Sequence, residues 1–209
     1  AGLAAEVLNF GVSGYGTAQE LLAFRHHASK YRPRVVILAV YTGNDIFNNH
    51  RALNPTSYPD QSPYFTLRGD QLELDASFRD ELAASSRQPW WRRLRMLVTD
   101  HVRIAQLLYE GWGQLRPYLD ASGAGEPDDE RENLADEIYR PPVTADIADA
   151  WRVTEALMLT LFREVTATGA EFWIVTLANR DQIDPDLKAR RAYEQSIGVD
   201  SLFYPDRRI

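Results

Sequence analysis

The sequence predicts an open α/β sheet of parallel strands, interrupted by an insertion over residues 50–142. Three observations carry that prediction. Arg34-Val35-Val36-Ile37-Leu38-Ala39-Val40 and Glu171-Phe172-Trp173-Ile174-Val175-Thr176-Leu177 are continuous apolar runs rich in β-branched residues. Runs that do not alternate are expected of parallel strands covered on both faces. A segment of helical period precedes each run, as a crossover connection requires. Between them the rhythm breaks for roughly 90 residues, which reads as an insertion within a single domain over 1–209.

Taken in order, Glu6-Val7-Leu8-Asn9-Phe10 reads as a short buried strand. Thr17 and Glu20 have the Thr-x-x-Glu spacing of a capping box, opening a helix to about Tyr31 with Leu21, Leu22, Ala28 and Tyr31 on its apolar face. Pro33 ends it, and the run from Arg34 completes a strand–helix–strand unit with a right-handed crossover. Pro55, Pro59 and Pro63 mark an irregular loop. Tyr64–Leu67 and Gln71–Leu74 flank Arg68-Gly69-Asp70 and read as a hairpin. The tripeptide invites an adhesion-ligand reading, but a glycine-containing turn accounts for it. Leu94, Leu97, Val98, His101, Ile104, Ala105, Leu108, Trp112 and Leu115 have the spacing of a helix over 89–119. Residues 121–137 are acidic and poor in large apolar groups, so they read as a surface loop. Ile147, Trp151, Thr154, Met158, Leu161 and Val165 mark a long helix ending at Gly169, ahead of the strand at 171–177. Asp184-Pro185 reads as an N-cap with proline at the first helical position of a helix to about Ile197. Pro205-Asp206 looks like the opening of another.

Composition excludes several classes. The net charge is −7 and the chain has no basic run beyond Trp91-Arg92-Arg93-Leu94-Arg95, which argues against nucleic acid as partner. Zero cysteines remove disulfides and thiolate chemistry. No apolar stretch approaches the roughly 20 residues of a membrane span. The sequence implies no cofactor and no metal, and it leaves the compartment open.

The informative stretch is Gly11-Val12-Ser13-Gly14-Tyr15-Gly16-Thr17, for which three readings compete. A dinucleotide or phosphate loop needs Gly-x-Gly-x-x-Gly, or a glycine loop closed by Lys-Ser/Thr; here the order is Gly-x-x-Gly-x-Gly with no lysine. A nucleophile elbow, Gly-x-Ser-x-Gly, fits as far as Ser13, but Tyr15 occupies the second glycine's place. The third reading joins the turn to Tyr41-Thr42-Gly43-Asn44-Asp45. Both stretches lie just beyond the carboxyl ends of expected strands, where open α/β sheets bind ligands. A backbone N–H from the turn and the Asn44 amide can converge on one oxygen, which is an oxyanion hole in outline.

Asn9-Phe10-Gly11-Val12-Ser13-Gly14-Tyr15-Gly16-Thr17 resembles the second motif block of the SGNH hydrolases, the GDSL-type esterases and lipases, and Gly43-Asn44-Asp45 resembles their third. The resemblance implies a three-layer, flavodoxin-like fold and a bacterial serine esterase acting on an O-acyl carbohydrate or a lipid. Gly14 would supply a backbone donor and Asn44 a side-chain donor to the oxyanion, while Asp45 would brace the loop. The family's Gly-Asp-Ser nucleophile block and its Asp-x-x-His block have no counterpart here, so the chain is expected to be the middle of a longer hydrolase, inactive by itself. None of the four histidines fits the base: His26 and His27 lie on the helix between the blocks, His101 on an apolar helix face, and His50 lacks the family's aspartate spacing. Asn48 and Asn49 either border the site or cap a turn. The insertion would serve as a cap over the substrate, with Trp90, Trp91, Tyr109, Trp112, Tyr118 and Tyr139 either lining it or filling its own core. Two rivals remain: a non-catalytic domain binding a carbohydrate or acyl ligand, and a flavodoxin-like nucleotide-binding domain.

Overall fold

The computed structural model describes residues 5–12, 14–54, 62–69, 71–77, 79 and 134–209. The expected helix over 89–119, with five of the six aromatic residues expected at the cap, lies outside them, as does most of the acidic stretch.

The described chain is mixed α/β. Helix α1 (Thr17–His26) runs into a 3-10 turn (Ala28–Tyr31), and Arg32 then takes a left-handed conformation ahead of Pro33. Strand β1 (Val35–Tyr41) leads to a single-turn helix α2 (Asp45–Asn48). Strands β2 (Tyr64–Arg68) and β3 (Gln71–Asp75) pair antiparallel as the expected hairpin, with Gly69 at positive φ in its turn. Helix α3 (Ala145–Ala167) starts at Thr144, whose hydroxyl accepts from the Ile147 N–H, and ends before Gly169, which is at φ +85°. Strand β4 (Glu171–Leu177) is followed by α4 (Arg180–Ile183), α5 (Leu187–Ile197) and α6 (Tyr204–Arg208). Among the described residues no helix is long and apolar enough to cross a membrane.

β1 and β4 pair in parallel, in register from Val35 opposite Glu171 to Tyr41 opposite Leu177. Leu38 and Val40 of β1 pack with Ala18, Leu21 and Phe24 of α1 and with Val153, Leu157 and Leu161 of α3, so both helices cover the same face. A second cluster joins Ile46 and Phe47 of α2 to Ile138, Trp151 and Leu202.

Four expectations are corrected. Glu6–Phe10 forms no strand: the stretch pairs with nothing described, and Val7 is 87 % exposed. The β1 and β4 runs are not covered on both faces. Ile37 is 62 % and Trp173 57 % exposed, because the described helices that flank the sheet share one side. An unalternating apolar run records that a face is apolar, not what lies against it. The helix after Asp184-Pro185 begins later, at Leu187, because the Asp186 carboxylate accepts from the Lys188 N–H and takes the capping role. The end of the acidic stretch is not a loop: residues 134–136 are helical and Glu137–Tyr139 form a 3-10 turn that buries Ile138 and Tyr139.

Candidate functional site

The glycine stretch is a tight turn. The Tyr15 N–H donates to the Val12 carbonyl at 3.1 Å, and Gly14, at φ +82°, occupies the third position, where a turn of this handedness favours glycine. Nothing lies within 4 Å of where a Gly14 side chain would start, so the turn projects outward. Gly16 faces the opposite way. A Cβ there would lie 3.0 Å from Asn49 Oδ1, 3.2 Å from Asn48 Cβ and 3.5 Å from the Asp45 carbonyl oxygen. The turn is therefore seated on α2, and glycine is what lets the two backbones approach.

Capping differs by one residue from the sequence reading. Gly16, not Thr17, is the N-cap of α1, and Gln19 reaches back so that its Oε1 accepts from the Gly16 N–H at 3.1 Å. Thr17 and Glu20 are thereby freed from capping and carried inward. Thr17 Oγ1 and Glu20 Oε2 are buried without a hydrogen-bond partner.

The Asn44 loop is held from behind. Asp45 is buried, and its Oδ2 accepts from the Tyr41 N–H at 2.7 Å, folding the chain back on the end of β1. Burial pushes the Asp45 carboxyl up to about 6, against the lowering effect of that bond. Glu20 is pushed up further, to about 8, first by burial and then by the charge of Asp45. Asn49 is buried; its Oδ1 accepts from the Ala18 N–H at 3.0 Å and its Nδ2 donates to Thr154 Oγ1 at 2.9 Å, tying α1, α2 and α3 together. Asn49 is thus a brace, and Asn48 packs its Cβ under Gly16. Asn44 is exposed; its carbonyl accepts from the Asn48 N–H at 2.8 Å, and among the described residues its side-chain amide meets no partner.

Beside this loop, beyond the end of β4, lies a network that sequence reasoning missed. Asn179 Nδ2 donates to Tyr139 Oη at 2.9 Å, and the Asn179 N–H donates to Gln182 Oε1 at 2.7 Å. Gln182 Nε2 in turn donates to the Leu202 carbonyl at 2.8 Å and to Asp206 Oδ2 at 2.6 Å. Asn179-x-x-Gln182 has capping-box spacing, a signal legible in the sequence. Tyr139 is buried in this network, with its hydroxyl pushed up to about 12 by burial, so it offers no surface to a ligand.

The histidines stay apart from the loops. His26 and His27 are exposed at the far end of α1. His50 Nε2 lies 3.7 Å from Asp149 Oδ2 of α3, and its Nδ1 is buried without a partner. His50 lies past the end of α2, its N–H donating to the Phe47 carbonyl at 3.0 Å. His101 lies outside the described residues. The structure thus brings the glycine turn and the Asn44 loop together and places no described histidine between them. Comparison with protein-family models, with curated proteins and with solved structures finds no match for this chain.

Proposed function

We propose that the chain carries the oxyanion-binding part of an SGNH-type serine esterase, built on a three-layer, flavodoxin-like sheet. The observation that carries the reading is the seating of the glycine turn on the Asn44 loop through Gly16, which leaves two kinds of donor at that junction. Gly14 and Asn44 are both exposed, and Gly14 would contribute its backbone N–H and Asn44 its side-chain amide; the Ala18–Asn49 bond ties α1 to α2 and the Tyr41–Asp45 bond holds the Asn44 loop. Donors aimed at developing negative charge stabilise a tetrahedral intermediate without reorganising, and losing one typically costs ~100- to 1,000-fold in turnover. The substrate would be an ester of an acylated sugar or a lipid. The nucleophile and its Asp/His partners would come from outside these 209 residues.

The test is hydrolysis of short-chain acyl esters and acetylated sugars by the product of the whole gene. Asn44→Ala is expected to lower kcat by about 100-fold or more with little change in KM. Unchanged turnover overturns the assignment, and saturable ligand binding with no hydrolysis in the parent favours a non-catalytic binding domain instead.

A further inference from the structure

Two carboxylic acids, Glu20 and Asp45, belong to the junction of the two loops: the Glu20 N–H donates to the Gly16 carbonyl at 3.2 Å, and a Gly16 Cβ would lie 3.5 Å from the Asp45 carbonyl oxygen. They belong to different elements: Glu20 to the first turn of α1, immediately after the glycine turn, and Asp45 to the residue that follows Asn44. Asp45 is spoken for by the Tyr41 N–H, whereas Glu20 Oε2 is buried and bonded to nothing. Such an orphan is costly if charged and far less so if neutral.

No cation offsets the pair among the described residues. On α1, Arg25 is engaged with Glu164 of α3 at the opposite end of the helix. At the far end of α2, His50 faces Asp149, and Arg68 of the hairpin pairs with Glu73. Asp45 alone acts on the charge of Glu20, and it does so with the same sign.

We propose that Glu20 is a positioning residue: with Asp45 it forms an acid pair that keeps the glycine turn seated on the Asn44 loop while the pair retains one proton, and unseats it when that proton leaves. Burial raises both acids, and the charge of Asp45 raises Glu20 further. Loss of the last proton puts two negative charges in one buried place, and the cheapest relief is to separate α1 from α2. The consequence for catalysis rests on the esterase reading above; the opening itself does not.

A reporter is built into the interface, because the Ala18 N–H donates across it to Asn49 Oδ1. The experiment is amide hydrogen exchange on the full chain, with protection at Ala18 referred to the β1–β4 ladder amides at each pH. Between about pH 4.5 and about pH 8 the Ala18 protection should fall about tenfold per pH unit relative to the ladder, and level off above. Glu20→Gln should abolish that fall. A parallel decline of Ala18 and ladder amides, or a fall that persists in Glu20→Gln, overturns the proposal. Should that variant not fold, carbon-13 titration of the Glu20 carboxyl in the parent decides, since a midpoint at the ordinary 4.5 equally overturns it. An Asn44→Ala protein that keeps full turnover would defeat the esterase reading and leave the Ala18 curve untouched.

Discussion

A Gly43→Ala substitution adds a methyl carbon 2.2 Å from Asn179 Oδ1 and 2.6 and 2.7 Å from two ring carbons of Tyr41. Real Cβ contacts do not come that close, so something must move. Tyr41 is partly exposed and can swing outward at small cost. Asn179 cannot, because its amide donates to the buried Tyr139 hydroxyl at 2.9 Å and its N–H to Gln182 at 2.7 Å. Displacing it breaks a buried hydrogen bond, worth about 1–3 kcal/mol once both partners are left unsatisfied. Overpacking of the surroundings adds about 1–3 kcal/mol. The expected loss is therefore about 2–6 kcal/mol, a fall in Tm of roughly 5–20 °C for a domain of this size. Thermal unfolding followed by circular dichroism reads it, in a double-mutant cycle with Asn179→Ala. Removing the Asn179 amide removes the closest contact, so the two losses should be non-additive by more than about 1 kcal/mol. A Gly43→Ala protein melting within about 2 °C of the parent, or strict additivity in the cycle, refutes the account of why glycine precedes Asn44.

Other substitutions separate conformational cost from steric cost. Gly14→Ala meets no atom within 4 Å, so its only penalty is the positive φ of +82°, about 1–2 kcal/mol, and Gly14→Asn should cost less, as read by chemical denaturation. Asn49→Ala leaves the Ala18 N–H and the Thr154 hydroxyl buried without this partner and should destabilise by about 2–4 kcal/mol. For Glu20 the pKa is raised on folding, so the folded state binds the extra proton and its advantage fades as pH climbs through the folded value. Stability should fall by about 1.4 kcal/mol per pH unit between about 4.5 and about 8, and Glu20→Gln should flatten that slope, as urea melts across this range will read. A slope of equal size in the variant would count against Glu20 as its source.

Much of the fold was legible because local chemistry decides it. The hairpin at Gly69, the long helix that ends before Gly169 and the two apolar strands follow from turn residues, apolar residues at helical spacing and unbroken β-branched runs. What escaped depends on partners distant in sequence. Glu6–Phe10 has strand composition, but a strand needs a ladder, and none is offered to it among the described residues. Thr17-x-x-Glu20 matches a capping box, yet Gly16 and Gln19 form the cap because docking on α2 demands the smaller residue one position earlier. The same docking turns Glu20 from a helix-end carboxylate into a buried acid. Gly14 and Asn44 were singled out through a motif; of the residues around them, Asn179-x-x-Gln182 carries a local capping signal, while the bonds of Asn49 to Ala18, Asn179 to Tyr139 and Gln182 to Leu202 reach partners 20 or more positions away.

Those supports bear on how a site at this end of the sheet would work. Behind the two loops most of the described polar side chains are consumed by structure, the Thr17 hydroxyl and one Glu20 oxygen excepted: Asp45 by the Tyr41 N–H, Asn49 by Ala18 and Thr154, Asn179 by Tyr139, Gln182 by the Leu202 carbonyl and Asp206. In front, Gly14 and Asn44 are exposed. Polar brackets hold direction better than apolar packing does, since a hydrogen bond weakens steeply with angle while a dispersion contact does not. Electrostatic stabilisation of a transition state requires donors whose orientation is settled before charge appears. A loop whose own polar groups turned outward to compete for the same acceptor would lose that advantage. The division between the braced groups Asp45, Asn49, Asn179 and Gln182 behind and the exposed Gly14 and Asn44 in front is the arrangement such a site needs, and it is why the Asn49 and Gly43 substitutions should impair the proposed chemistry without touching a reacting atom.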